Sequence, residues 1–254
     1  MTKRVVLRQT PGELAGVVAA RLLGRIAKRT ADGKTVHVSL TGGTMGIEVL
    51  RAAGRHPQRS AVDWSLVHVW WSDERFVAAS SEERNDVPAA AFLDAVDLPA
   101  ANVHRMPAAD GGLDLDAAAA AYAAELARFA TDGATWPEFD ISLLGVGPDG
   151  HIASLFPDRP EITVTDEVVL PVRDSPKPPP ERLTLTRPVI NSSKRVWLVM
   201  TGAEKASALG LALAGASYRS VPAAGAKGTK RTTFFVDAAA AAQVPPDLID
   251  GDDD

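Results

Sequence analysis

The chain contains no cysteine. That absence excludes disulfides, thiolate-held metals, iron–sulfur clusters and a cysteine nucleophile together, and it fits a reducing compartment. Long apolar runs are missing too: no stretch approaches the roughly 18 residues of a membrane span. The opening residues Met1, Thr2, Lys3 and Arg4 meet a further charge at Arg8 before any apolar segment of signal-peptide length. A cytoplasmic location and no membrane partner are therefore expected. Positive charge is not in excess either, with 27 Lys and Arg against 32 Asp and Glu and a net charge of -5. A broad basic surface for nucleic acid is excluded on that balance, so any anionic ligand must be held by a local cluster.

What is present describes a folded enzyme-sized chain. Its 254 residues suit one large α/β domain or two small ones. With no internal repeat and no clear linker, a single domain over 1–254 is expected, as a monomer or small homo-oligomer. The acidic end 251–254 reads as a frayed tail.

Hydrophobic periodicity alternates between strand and helix. Thr10-Pro11-Gly12-Glu13 reads as a capping box opening a helix near 11–29. Buried-strand patterns follow at 35–40, 66–71, 139–144, 196–200 and 233–236, with helical stretches opening near 44, after Asn85-Asp86-Val87-Pro88, over 117–130 and over 203–213. The alanine-rich 117–130 helix reads as solvent-facing, and Ser72-Asp73-Glu74-Arg75 as a polar turn. Four prolines between Pro176 and Pro180 must form loop. The alternation predicts an α/β, Rossmann-like domain, a mostly parallel sheet with helices on both faces, because parallel strands need crossovers. In such sheets ligands bind beyond the carboxyl ends of the strands. That rule selects the turns at 41–44, 72–75 and 145–151.

Each turn supports two readings. Gly145 to Gly150 formally matches the dinucleotide fingerprint, yet Pro157 leaves room for only a short helix and no strand with a terminal acid follows, so no nucleotide cofactor is expected. Asp149 and His151 could instead form an acid/base pair on a tight loop, or Asp149 could simply cap a short helix at 151–156. Gly42, Gly43 and Thr44 could cradle an anion at a helix N-terminus or only make a turn. Arg75 could grip phosphate while an acid positions it, or form a surface ion pair. Lys177, Arg182 and Lys205 are further cations in or after later loops. The five histidines show no zinc-binding spacing, and no nucleophile elbow is present; His37 and His68 read as ordinary strand residues. A metal-free, cofactor-free site for a phosphorylated small molecule is expected.

These residues together resemble the 6-phosphogluconolactonase family across nearly the whole chain. The resemblance rests on Leu40-Thr41-Gly42-Gly43-Thr44, Trp71-Ser72-Asp73-Glu74-Arg75, Glu83-Arg84-Asn85, Asn102-Val103-His104-Arg105, the segment 144–157, Lys177-Pro178-Pro179-Pro180 leading to Arg182, and Gly202-Ala203-Glu204-Lys205-Ala206. The related glucosamine-6-phosphate deaminases share the Gly-x-Asp-Gly-His core but continue to Phe-Asn-Glu-Pro, whereas this chain reads Ser154-Leu155-Phe156-Pro157. Two departures are visible: Met45-Gly46 where the family often carries a proline, and Phe235-Val236-Asp237 where a tryptophan often precedes Val-Asp.

The resemblance implies hydrolysis of 6-phospho-D-glucono-1,5-lactone to 6-phospho-D-gluconate in the oxidative pentose phosphate pathway. His151 would activate water as general base, and Asp149 would orient it. Gly42, Gly43, Thr44, Arg75, Arg182 and Lys205 would hold phosphate or sugar hydroxyls, with Asp73, Asn85 and Lys177 shaping the pocket. The rival readings are an amino-sugar phosphate deaminase and a non-catalytic sugar-phosphate sensor.

Overall fold

A computed structural model of the chain describes residues 3–131, 133–245 and 249. The acidic stretch 251–254 lies outside them. Six parallel strands form the central sheet: β1 (Lys3–Arg8), β2 (Val36–Leu40), β3 (Val67–Trp71), β5 (Ile141–Gly145), β8 (Arg195–Met200) and β9 (Arg231–Asp237), in the order β1-β9-β8-β5-β2-β3. A second sheet of three antiparallel strands stands beside it, with β7 (Arg182–Leu185) between β4 (Asp73–Arg75) and β6 (Val169–Val172).

Strand alternation assigns the two faces of the large sheet. Val38, Val69, Leu143, Trp197 and Phe235 point to one core, built with helix α1 (Pro11–Ala31), α2 (Gly43–Arg55) and α3 (Asp86–Leu93). Trp70, Leu144, Leu198 and Phe234 point to the other, covered by α4 (Leu115–Ala127), α5 (Arg187–Ser192), α6 (Ala206–Leu213) and the small sheet. Neighbouring residues pointing into opposite cores follow from the period of two along a strand. The expected parallel sheet with helices on both faces is thus present.

Several local expectations are corrected. The second sheet has no counterpart in the sequence reading, and the polar turn at 72–75 is its strand β4. The alanine-rich helix α4 is not simply solvent-facing: Leu115, Ala118, Ala119, Tyr122 and Leu126 are buried, and the Tyr122 hydroxyl accepts the Trp71 N–H at 3.0 Å. No helix forms at 151–156, where Ile152 instead makes isolated bridges to Val146 and Leu155. The capping box is half realised. Thr10 Oγ1 accepts the Glu13 N–H at 3.2 Å, whereas the Glu13 carboxylate reaches the N–H of Gln9, one residue beyond its expected partner.

His37 and His68 do lie on strands, but half-buried they join an aromatic array with the buried His104 and Trp70. The His37 and His68 rings stack at 4.9 Å, His68 stacks on His104 at 5.3 Å, and His104 lies flat against Trp70 at 3.8 Å. His104 Nδ1 hydrogen-bonds Glu125 at 2.9 Å. His104, part of the family-like Asn102-Val103-His104-Arg105 motif, therefore serves the core rather than the cleft.

Candidate active site

The carboxyl ends of the large sheet open into a cleft of about 580 Å³. It is lined by Gly42, Gly43, Thr44, Asp73, Arg75, Asn85, His151, Lys177, Arg182 and Lys205, ten of the eleven residues singled out from sequence. The eleventh, Asp149, sits behind His151. Residues more than 160 positions apart are gathered because each follows a strand or lies beside the small sheet at the same edge.

Backbone geometry shapes the first wall. β2 ends at Leu40, and α2 begins at Gly43 with Gly42 as its N-cap. Gly43 has φ of +74°, a left-handed conformation that favours glycine. Thr41 Oγ1 accepts the Gly145 N–H at 3.2 Å, so the ends of β2 and β5 are tied together. No side chain caps α2. The first N–H groups of this helix are therefore left for an anion in the cleft.

The second wall is a polar network around β4. Asn85 accepts from Arg75 Nη1 at 2.6 Å and donates to the Asp73 carbonyl at 2.9 Å, while Ser154 Oγ donates to Asp73 Oδ2 at 2.8 Å. Beneath them Glu74, 1% exposed, accepts the backbone N–H groups of Arg75, Asn85 and Asp86 at 2.8, 2.7 and 3.0 Å. Burial is the largest influence on the Glu74 carboxyl and pushes it up to about 7, against the pull of those amides and Arg84. Glu74 therefore clamps the segment 84–86 to β4, which places Asn85 and Arg75. The surface-ion-pair alternative for this tetrapeptide does not describe it.

Arg182, on β7, is buried and donates to the carbonyls of Lys177, Pro178 and Pro179 at 3.0 to 3.1 Å. It thereby fixes the proline loop that carries Lys177 over the cleft. Its guanidinium also lies 5.8 Å from the centre of the Phe156 ring, and burial lowers its pKa.

His151 packs on Phe156 with ring centres 4.7 Å apart, and its side chain is 17% exposed. Asp149 Oδ1 lies 2.5 Å from its Nδ1. A carboxylate there requires the proton on Nδ1 and leaves the Nε2 lone pair available. Lys177 Nζ is 3.5 Å from the same oxygen and 3.1 Å from Nδ1. Since Nζ and Nδ1–H are both donors, Lys177 pairs with the carboxylate and not with the ring. Burial would raise the Asp149 carboxyl, but the hydrogen bond from His151, the charge of that ring and Lys177 outweigh it and hold it well below the usual carboxylate range. Lys205 opposite is lowered by burial and by Lys177.

A family model described as glucosamine-6-phosphate isomerases/6-phosphogluconolactonase matches residues 9–235. The chain belongs to this family. It is 45% identical over 252 residues to the 6-phosphogluconolactonase of Streptomyces coelicolor, covering 97% of both chains. It is also 45% identical over 235 residues to that of Mycobacterium leprae, covering 91% of this chain and 94% of the relative. The crystal structure of 6-phosphogluconolactonase from Thermotoga maritima superposes with a TM-score of 0.80 at 26% identity, over 93% of this chain and all of the other.

The two departures from the family pattern are accommodated locally. Gly46 is pressed against the Thr41 carbonyl, where an added β-carbon would lie at 2.5 Å. Phe235 packs on Trp197 inside the α1 core with ring centres 5.2 Å apart, away from the reacting groups. Three residues of the site carried no role in the sequence reading: Glu74, Ser154 and Asp237. Asp237 lines the cleft and accepts the N–H groups of Gly202 and Ala240 at 3.1 and 2.8 Å. Its position at the end of a strand was the available signal.

Proposed function

We propose that this protein hydrolyses 6-phospho-D-glucono-1,5-lactone to 6-phospho-D-gluconate, as a 6-phosphogluconolactonase of the pentose phosphate pathway. The observation that carries the reading is the Asp149–His151 pair set in a cleft whose walls bear Lys177, Lys205, Arg75 and an uncapped helix start. Near-full-length identity to relatives named for this reaction supports the substrate.

In this reading Nε2 of His151 takes a proton from water as the oxygen attacks the lactone carbonyl carbon. The carbonyl electrons move to oxygen and give a tetrahedral intermediate. When they return, the bond to the ring oxygen breaks, and the imidazolium hands its proton to that oxygen, which leaves as a hydroxyl. The product carboxyl then ionises. Asp149 stays ionised throughout, fixes the ring tautomer and stabilises the transient imidazolium. The phosphate rests near Gly42, Gly43 and Thr44, where amide dipoles and the cations Arg75 and Lys205 favour dianions. Asp73 and Asn85 set the floor, and Arg182 acts through the loop it holds.

The test is acid release from freshly prepared lactone, followed against the spontaneous rate, with ammonia release from glucosamine 6-phosphate assayed in parallel. Acceleration of the first without the second is expected. No acceleration of lactone opening, or ammonia release, would overturn the reading.

A further inference from the structure

A second cavity of about 490 Å³ lies away from the cleft. Lys3, Arg187 and Lys227 line it, together with Tyr218, and among the described residues no carboxylate does. Three cations facing one space repel one another, and with no acid among the described lining residues a bound anion would be favoured there. None of the three has an ion-pair partner among the described residues. Arg187 stacks its guanidinium 4.2 Å above the Tyr218 ring, and its Nε is buried without a hydrogen-bond acceptor. Lys227 is exposed at the rim, and its backbone N–H is held by Asn191 Oδ1 at 2.9 Å. Lys3 does have a partner, the Ala212 carbonyl at the end of α6. Burial and Lys227 together lower its pKa, so added negative charge here would relieve an existing strain.

The arrangement is built rather than incidental. A β-carbon on Gly225 would lie 2.4 Å from Cβ of Tyr218, so glycine is what lets Tyr218 seat beneath Arg187. Asn191 ties Gly225 and Lys227 by accepting the Lys227 N–H and donating to the Gly225 carbonyl at 2.9 Å. The site is also separate from the catalytic cleft. Lys205 stands at one end of α6 and Lys3 contacts the other, about 12 Å apart for eight residues. The segment 217–225 connects the two places: Ala223 N–H donates to the Gly150 carbonyl at 2.9 Å, one residue before His151.

We propose that this cavity is a second anion site, taking a small phosphate-bearing molecule between Arg187 and Lys227. A planar guanidinium lining the cavity and held flat on Tyr218 suits the paired oxygens of a phosphoryl group, and Lys227 supplies a movable point charge.

Inorganic pyrophosphate titrated into ¹⁵N-labelled protein tests it by amide shifts. Saturable shifts at Gly215, Tyr218 and Gly225 are expected in the wild type. In Lys227→Glu, and separately in Arg187→Gln, saturation should need at least tenfold more pyrophosphate, while lactone turnover stays at the wild-type rate. Stationary amides at Gly215, Tyr218 and Gly225 while those of residues 42–44 respond would overturn the site, as would equal shifts in both variants. Failure here leaves the lactonase reading standing, because turnover is measured on the same samples.

Discussion

The Asn85 carboxamide occupies the space that any side chain at position 42 would need: a β-carbon on Gly42 would lie 1.7 Å from Asn85 Oδ1. The glycine turn and the β4 network therefore fit together only with glycine there. Gly42→Ala must displace Asn85, and with it Arg75, whose Nη1 is 2.6 Å from the same oxygen. Overpacking of this kind costs about 1–3 kcal/mol. The expected outcome is a KM for lactone raised roughly tenfold, the equivalent of about 1.4 kcal/mol of lost binding, with a smaller change in kcat. Steady-state kinetics and a urea melt check both parts, and an unchanged KM would separate this corner from substrate binding.

Asp149 acts on the substrate only through His151. Asp149→Asn keeps the shape but can no longer anchor the Nδ1–H tautomer as a carboxylate does. A kcat loss on the order of 10²-fold is expected, at the lower end for a positioned base. The thermal midpoint should stay near wild type, since the side chain is more than a third exposed. Unchanged kcat in a folded variant would remove Asp149 from the mechanism.

Glu74 is a stability residue at the edge of the site. Glu74→Ala strands three backbone N–H donors and leaves Arg84 short of an ionic neighbour at 3.8 Å. Arg84 keeps Asp86 at 2.8 Å, so the loss comes from the stranded amides, and a buried donor left without an acceptor costs about 1–3 kcal/mol. Equilibrium urea denaturation should show the midpoint falling accordingly. A midpoint shift within error would mean that the 84–86 segment is held by something else.

Acid should destabilise the fold through the histidine array. His37, His68 and His104 are all lowered, by burial first; neighbouring imidazoles add to the shift of His37 and His68, and His37 reaches about 3. Glu125 pulls His104 the other way without reversing it. In the unfolded chain each imidazole titrates near 6.5. Below that pH the unfolded chain binds protons that the folded one refuses, so stability is complete above about pH 6.5 and falls as the pH drops. Glu74 opposes this: raised to about 7, it takes up a proton in the folded state that the unfolded carboxyl, near 4.5, does not. Melts at several pH values between 7.5 and 5 should therefore show a shallower decline in His68→Gln and a steeper one in Glu74→Gln. Parallel curves for all three proteins would contradict the assignment.

The parts of the molecule legible in the sequence are those with long periodic signals or sharp punctuation. Five of the six parallel strands, β2, β3, β5, β8 and β9, are five to seven residues long with a run of buried side chains, and the glycine-rich turns at 41–44 and 145–151 mark the carboxyl ends of β2 and β5. β1 was missed, because only Val5 and Val6 are buried there among Lys3, Arg4 and Arg8. The small sheet was illegible because its strands are three or four residues long, and β4 is written Asp73-Glu74-Arg75, a sequence that reads as a turn. Its order comes from pairing with Arg182, Leu183 and Thr184, more than a hundred residues away. A shorter separation hid Glu74, whose partners Asn85 and Asp86 lie 11 and 12 positions on and meet it only once the loop closes. Ser154 could be read as part of a motif, but its bond to Asp73 spans 81 positions.

The account's central claim is that His151 is the general base. The most direct measurement is hydrolysis of freshly made 6-phosphoglucono-δ-lactone, above the spontaneous rate, by wild type and His151→Ala under identical conditions with EDTA present. A positioned base contributes about 10²–10⁴ in rate. The account predicts a loss of that size with an unchanged melting temperature, and turnover by His151→Ala near the wild-type rate would contradict it.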